Sequence, residues 1–199
     1  MFDARIRRVI DPGLNRVGRA LAGAGVPALA VTAAGFALGL AAAGAIAFGG
    51  YLAGLALILL SRIADGLDGA VARAGRPTAF GGFADSMADF AFYAAIPFAF
   101  AVAAPERALA AAFLLMSFIA SAVAFLNYAL LAARLGEPPS DHKAFVYAAG
   151  LTEGTETIAL FVAMALVPAW FEPLAWGFGV LCWVTAIART RAAWRLANR

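Results

Sequence analysis

The sequence predicts an all-α integral membrane protein: a six-transmembrane-helix bundle with an N-terminal interfacial amphipathic helix and both termini cytoplasmic. Three observations carry that reading. Of 199 residues, 64% are hydrophobic and the mean hydropathy is +0.85, whereas soluble domains are roughly 45–50% apolar. Six long apolar segments follow one another with short connections, each able to cross about 30 Å of hydrocarbon at about 1.5 Å per residue. The 15 Lys and Arg residues gather on one side of those segments.

Residues 1–25 form the first unit, an amphipathic juxtamembrane helix, and residues 26–199 the membrane domain. In the opening stretch Ile6, Val9, Ile10, Leu14, Val17 and Leu21 recur every three or four residues, opposite Arg5, Arg8, Arg16 and Arg19. That pattern suits a helix lying on an anionic leaflet, interrupted at Pro12-Gly13. The stretch lacks the short apolar core and small-residue cleavage site of a signal peptide. The spans are expected over Pro27–Phe48, Tyr51–Ala72, Gly82–Ala103, Arg107–Ala133, Ala144–Val167 and Pro173–Ala193. Gly49-Gly50, Pro105-Glu106 and Glu172-Pro173 mark connections on one side. On the other side lie "RAGRPT" and "RLGEPPSDHK".

All Lys and Arg except Arg62, inside a span, and Arg107 fall on the side of the N-terminus, which places that side in the cytoplasm. The net charge of +3 is spread over helix ends, so a nucleic-acid partner is not expected. Cys182 is the sole cysteine and sits in an apolar run, where it packs as an inert thiol. His142 reads as a solvated loop residue, and Trp170, Trp176 and Trp194 as interfacial anchors. The Gly35-xxx-Gly39 spacing permits close helix approach.

Four aspartates break the apolar pattern of the second and third spans. Asp65 and Asp68 are three apart, about 60° on one helix face, and Asp85 and Asp89 are four apart, about 40° on the next. Both pairs sit at the cytoplasmic ends of consecutive antiparallel spans, so all four carboxylates can face one gap. A carboxylate near hydrocarbon marks a functional site. Four together repel unless cations offset them, and Arg62, Arg73 and Arg76 are too few and too long to fill the gap. Hard divalent cations, Mg²⁺ or Mn²⁺, prefer such oxygen sets and bind with phosphates. Gly69 lies midway between Asp65 and Arg73, and Gly81 is four before Asp85. Glycine there opens room for a ligand, and Arg73 offers a fork for phosphate oxygens. Asp85 near a helix start would also favour the helix dipole, and a cation-transport site is a further alternative.

The stretch "DGLDGAVARAGRPTAFGGFADSMAD" resembles the signature of the CDP-alcohol phosphotransferase (class I CDP-alcohol phosphatidyltransferase) family. That signature is D-x-x-D-G-x-x-A-R, then seven or eight residues, then G-x-x-x-D-x-x-x-D. Asp65, Asp68, Gly69, Ala72, Arg73, Gly81, Asp85 and Asp89 fill every fixed position. The resemblance implies that Asp65, Asp68 and Asp85 are metal ligands, with Asp89 beside the metals as general base on the incoming hydroxyl. It implies that Gly69, Ala72, Arg73 and Gly81 line the CDP site. It also implies two divalent cations and a homodimer in the bacterial inner membrane, with its active site facing the cytoplasm. The reaction implied moves a phosphatidyl group from CDP-diacylglycerol to a small polar alcohol and releases CMP. Many members begin the first span with a P-N-x-x-T-like run; here the run is "PALAVT", with Thr32 as the candidate threonine, one position beyond that spacing, and no Asn after Pro27.

For the acceptor, Glu153 and Glu156 share a face of the fifth span among Thr152, Thr155 and Thr157. Two glutamates favour a neutral polyol or a cationic amino alcohol by simple electrostatics. Lys143 and Arg189, with Arg134 and Arg191, are the cations that would receive a phosphorylated acceptor instead. An aminoalcohol phosphotransferase using CDP-choline or CDP-ethanolamine with diacylglycerol is the alternative within the class. A six-helix cation transporter is the alternative outside it, though it would carry its acids nearer the bilayer midplane.

Overall fold

A computed structural model describes residues 3–136 and 154–198, with side chains from residue 11 onward. All regular elements among the described residues are helical. They are α1 (Asp3–Gly23), α2 (Ala28–Ala47), α3 (Tyr51–Ala74), α4 (Ala79–Ala103), α5 (Ala108–Arg134), α6 (Gly154–Leu166) and α7 (Phe171–Ala197). Single 3-10 turns at Pro105–Arg107 and Pro168–Trp170 lead into α5 and α7.

Among the described residues, four segments are long and apolar enough to cross a membrane: α2, α4, Pro105–Arg134 and Pro168–Ala197. α3 has 24 residues, but Arg62, Asp65, Asp68 and Arg73 lower its hydropathy. α6 shows 13 residues, and the rest of the expected fifth span lies outside the described residues. α3 and α7 run to Ala74 and Ala197, past the expected Ala72 and Ala193, and two helix starts come earlier than expected. α4 starts at Ala79 rather than Gly82, because the Thr78 hydroxyl accepts from the Gly81 N–H at 3.0 Å and caps the helix. α7 starts at Phe171, so Glu172 and Pro173 lie in its first turn. A proline there forfeits no intrahelical bond. α1 runs through Pro12 without ending.

α2 is the hub of the first half, packed on both α3 and α4, which approach each other closely at few points. Its glycines explain how. A Cβ on Gly35 would stand 3.1 Å from Ala64 Cβ, and one on Gly39 only 2.7 Å from the Phe92 ring. The Gly35-xxx-Gly39 notch therefore receives α3 and α4 of its own chain. Ser61 pins the contact by donating to the Gly35 carbonyl at 2.8 Å. α1 docks on α3 by the same device, with Gly18 against Ala70 and Leu14 over Gly66.

α5 packs on α7 in the second half. Gly179 leaves room for Phe113, whose ring meets Trp176 at 4.5 Å. Cys182 is buried there, as expected. The halves join through buried aromatic rings, Phe92 against Phe161 at 5.9 Å and Phe100 against Phe171 at 4.7 Å.

Candidate active site

Because α2 holds α3 and α4 without closing them on each other, the polar ends of the two helices face across a gap. The helical register then fixes which groups meet. Carboxylate oxygens of Asp65, Asp85 and Asp89 all lie within 4.8 Å of one another. Asp68, one turn along α3, is 5% exposed, and its Oδ2 is buried without a hydrogen-bond partner. Thr32 of α2 lies beside the Asp68 carboxyl and donates its own hydroxyl proton to the Ala28 carbonyl at 3.1 Å. The capping explanation of Asp85 does not hold. Thr78 caps α4, and Asp85 falls beyond the first turn, where the dipole acts.

Arg62 is the principal correction to the sequence reading. It reaches into the gap, with Nη1 at 2.7 Å from Asp89 Oδ1 and 3.5 Å from Asp65 Oδ1. Nη2 donates to Ser61 Oγ at 3.2 Å, and the guanidinium lies 4.2 Å over the Phe92 ring. One arginine thus offsets part of the charge of the cluster. Arg62 stands three residues before Asp65 and Tyr93 four after Asp89, so the stripes that carry the aspartates also carry these two. Helical spacing was the signal that would have found them.

Along α3, Gly69 leaves space for Arg73, whose Nη1 would lie 3.2 Å from a Cβ at that glycine. Arg73 is exposed and its Nη2 donates to Asn15 Oδ1 of α1 at 3.1 Å. Ala72 is half-buried beside it. Gly81 is half-buried at the start of α4. Asn15 is therefore a neighbour of the expected phosphate site that the motif does not contain.

Of the expected acceptor residues, Glu156 sits half-buried in the first turn of α6. That turn arrives near the carboxylates, since a Cβ on Gly154 would stand 3.3 Å from the Tyr93 hydroxyl. Arg189 is buried between α7 and α5, donating to the Ser121 carbonyl at 3.2 Å and hydroxyl at 3.1 Å, beside Phe125. Glu153 and Lys143 lie outside the described residues, as does His142.

An all-oxygen cluster with a buried unpartnered carboxylate oxygen suits a hard divalent cation, and a thiophilic metal far less. The residues present fit such an ion.

Comparison with known proteins agrees with this chemistry. Residues 25–190 match the family model described as CDP-alcohol phosphatidyltransferase. Inner membrane protein YnjF of Escherichia coli K12 is 48% identical over 192 residues, covering 95% of this chain and 93% of that one. Archaetidylinositol phosphate synthase of Methanothermobacter thermautotrophicus is 45% identical over 89 residues, 44% of this chain and 42% of that protein. Among solved structures, phosphatidylinositol phosphate synthase of Mycobacterium tuberculosis with CDP-DAG bound superposes with a TM-score of 0.66. It is 22% identical over 91% of this chain and 93% of that one, a likeness of fold. With its motif, its apolar helices and this match over most of its length, the chain is a membrane phosphotransferase enzyme of phospholipid biosynthesis and belongs to the CDP-alcohol phosphatidyltransferase family.

Proposed function

We propose that the protein transfers a phosphatidyl group from CDP-diacylglycerol to the hydroxyl of a small polar alcohol and releases CMP. The observation that carries the proposal is the carboxylate cluster: three aspartates with oxygens within 4.8 Å and a fourth with a buried, unpartnered oxygen. Asp65, Asp68, Asp85 and Asp89 would hold two divalent cations, Mg²⁺ or Mn²⁺. When bound, such ions neutralise a pyrophosphate and stabilise the departing CMP.

The chain's own residues have separate tasks in this reading. Arg73 grips a phosphate oxygen, and Gly69, Ala72 and Gly81 leave the cytidine end room, with Thr32 behind Asp68. Asp89 takes the proton of the acceptor hydroxyl. The acceptor oxygen bonds to the phosphatidyl phosphorus as the phosphoanhydride bond breaks, and its electron pair leaves with CMP. Glu153 and Glu156 would line the acceptor pocket, with Lys143 and Arg189 near its cytosolic mouth.

In this reading six spans cross the membrane: α2 to α5, the Ala144–Val167 segment that ends in α6, and α7. Both termini and the site face the cytoplasm, a reading that the Lys and Arg distribution supports. Residues 1–25 lie on the leaflet and residues 26–199 form the catalytic domain, paired as a homodimer in the bacterial inner membrane. A lipid donor then reaches the gap laterally while its headgroup enters from the cytosol.

The test is CMP release by the purified protein in detergent with CDP-diacylglycerol, Mg²⁺ or Mn²⁺, and single acceptors. Glycerol, inositol, inositol phosphate, glycerol 3-phosphate, serine, ethanolamine and choline form the panel. Two proteins named above are synthases of inositol phosphate lipids, which supports a phosphorylated inositol among the candidates. Release that depends on one acceptor and stops with chelator is expected. Silence with every acceptor, followed by activity with CDP-choline or CDP-ethanolamine and diacylglycerol, would replace the donor. Ion flux lost in Asp68→Asn without nucleotide dependence would mean a transporter.

A further inference from the structure

The family signature contains no residue at position 62, yet Arg62 is held at the carboxylate gap by three separate contacts. Its side chain is 16% exposed. Nη1 meets Asp89 Oδ1, Nη2 meets Ser61 Oγ, and one face rests on Phe92. Two of these supports are themselves held by α2. Ser61 donates to the Gly35 carbonyl, and the Phe92 ring occupies the space that a Cβ on Gly39 would take. An arginine placed this way is a permanent positive charge, because a guanidinium does not give up its proton in proteins.

We propose that Arg62 is a positioning residue: it holds Asp89 by one oxygen, leaves the other for the site, and sets how tightly the cluster takes its cations. The proposal rests on the reading of the cluster as a divalent-metal site. A carboxylate has two oxygens and about four acceptor directions, so the Arg62 bond orients Asp89 without saturating it. The positive charge 3.5 Å from Asp65 also opposes any cation entering the gap. Arg62 therefore exchanges metal affinity for geometry, and its removal moves the two quantities in opposite directions. A residue that only supports the fold would lower both.

The experiment is a Mn²⁺ titration, followed by electron paramagnetic resonance, on wild type, Arg62→Met, Arg62→Lys and Asp85→Asn, with CMP release measured on the same preparations. Arg62→Met is expected to bind Mn²⁺ about tenfold more tightly, since one opposing charge is gone. Its kcat should fall about 10- to 100-fold through lost orientation, with KM for CDP-diacylglycerol changed less than about threefold. Arg62→Lys retains the charge without the fork, so it should keep near wild-type Mn²⁺ affinity and recover part of kcat. Equal or weaker Mn²⁺ binding by Arg62→Met, or an unchanged kcat, overturns the proposal. Loss of Mn²⁺ binding in Asp85→Asn supports the metal reading separately. Absence of Mn²⁺ binding in wild type removes that reading, and the Arg62 proposal with it.

Discussion

The α2–α3–α4 half and the α5–α7 half are both notched by glycine, yet the notches serve opposite ends. In the first, Gly35 and Gly39 of α2 admit Ala64 and Phe92 from two different helices. α3 and α4 therefore meet α2 more than each other, and carboxylates occupy the space between them. In the second, Gly179 admits the Phe113 ring, and α5 closes directly on α7. Each half also holds an arginine against a serine and an aromatic ring, Arg62 at Ser61 and Phe92, and Arg189 at Ser121 and Phe125. A glycine notch in a membrane bundle thus reports close approach only. What sits beside the notch decides whether it builds packing or a site.

The comparison breaks most visibly at Asp89. If the first half is the reacting one, Asp89→Asn should cut CMP release about 10²- to 10⁴-fold, the usual range for a general base. Its thermal midpoint in detergent should stay close to that of wild type. A variant keeping most of its turnover would leave Asp89 without that role. The sharper test is a matched pair of alanines. Gly39→Ala puts a Cβ 2.7 Å from Phe92 and Gly179→Ala one 2.5 Å from Phe113, so each should cost about 1–3 kcal/mol by overpacking. Only Gly39→Ala should also lose turnover per folded molecule, because Phe92 carries Arg62. Equal activity losses from both, read against thermal melts, would erase the distinction between the halves. The smallest effect is expected at the edge of the first half. Asn15→Ala removes one hydrogen bond to Arg73, about 0.5–1.5 kcal/mol. KM for CDP-diacylglycerol should rise about two- to tenfold with kcat nearly unchanged. A kcat effect instead would place Asn15 closer to the chemistry than its contact suggests.

The aspartate arrangement was legible because a helix converts spacing into direction: residues three or four apart share a face whatever surrounds them. The helical segments were legible for a similar reason, since apolar runs of about 20 residues have few other uses. Side-chain reach was not. Arg62 looked too long to fit between α3 and α4, and only the floor supplied by Phe92 and Ser61 turns it inward. The destination of the Gly35-xxx-Gly39 notch was also hidden, because small residues do not name the partner they admit. Helix starts slipped by two or three residues where Thr78 caps and Pro173 is tolerated. Asn15 became visible only once α1 was seen docked on α3, a contact between residues 58 apart in sequence.

The position of α2 has a consequence for how the chain is made. Thr32, Arg62, the four aspartates and Tyr93 all belong to α2, α3 and α4, three successive helices. As the chain emerges from the ribosome, the surface that receives α3 and α4 already exists when each arrives. Neighbouring helices pair early because short separations close at little entropic cost. The charged basin should therefore assemble before α5 is synthesised, and its aspartates need shelter from lipid only while α4 is threading. The later helices then join a centre whose parts already face one another, and the first turn of α6 reaches Tyr93 only after α5 is made.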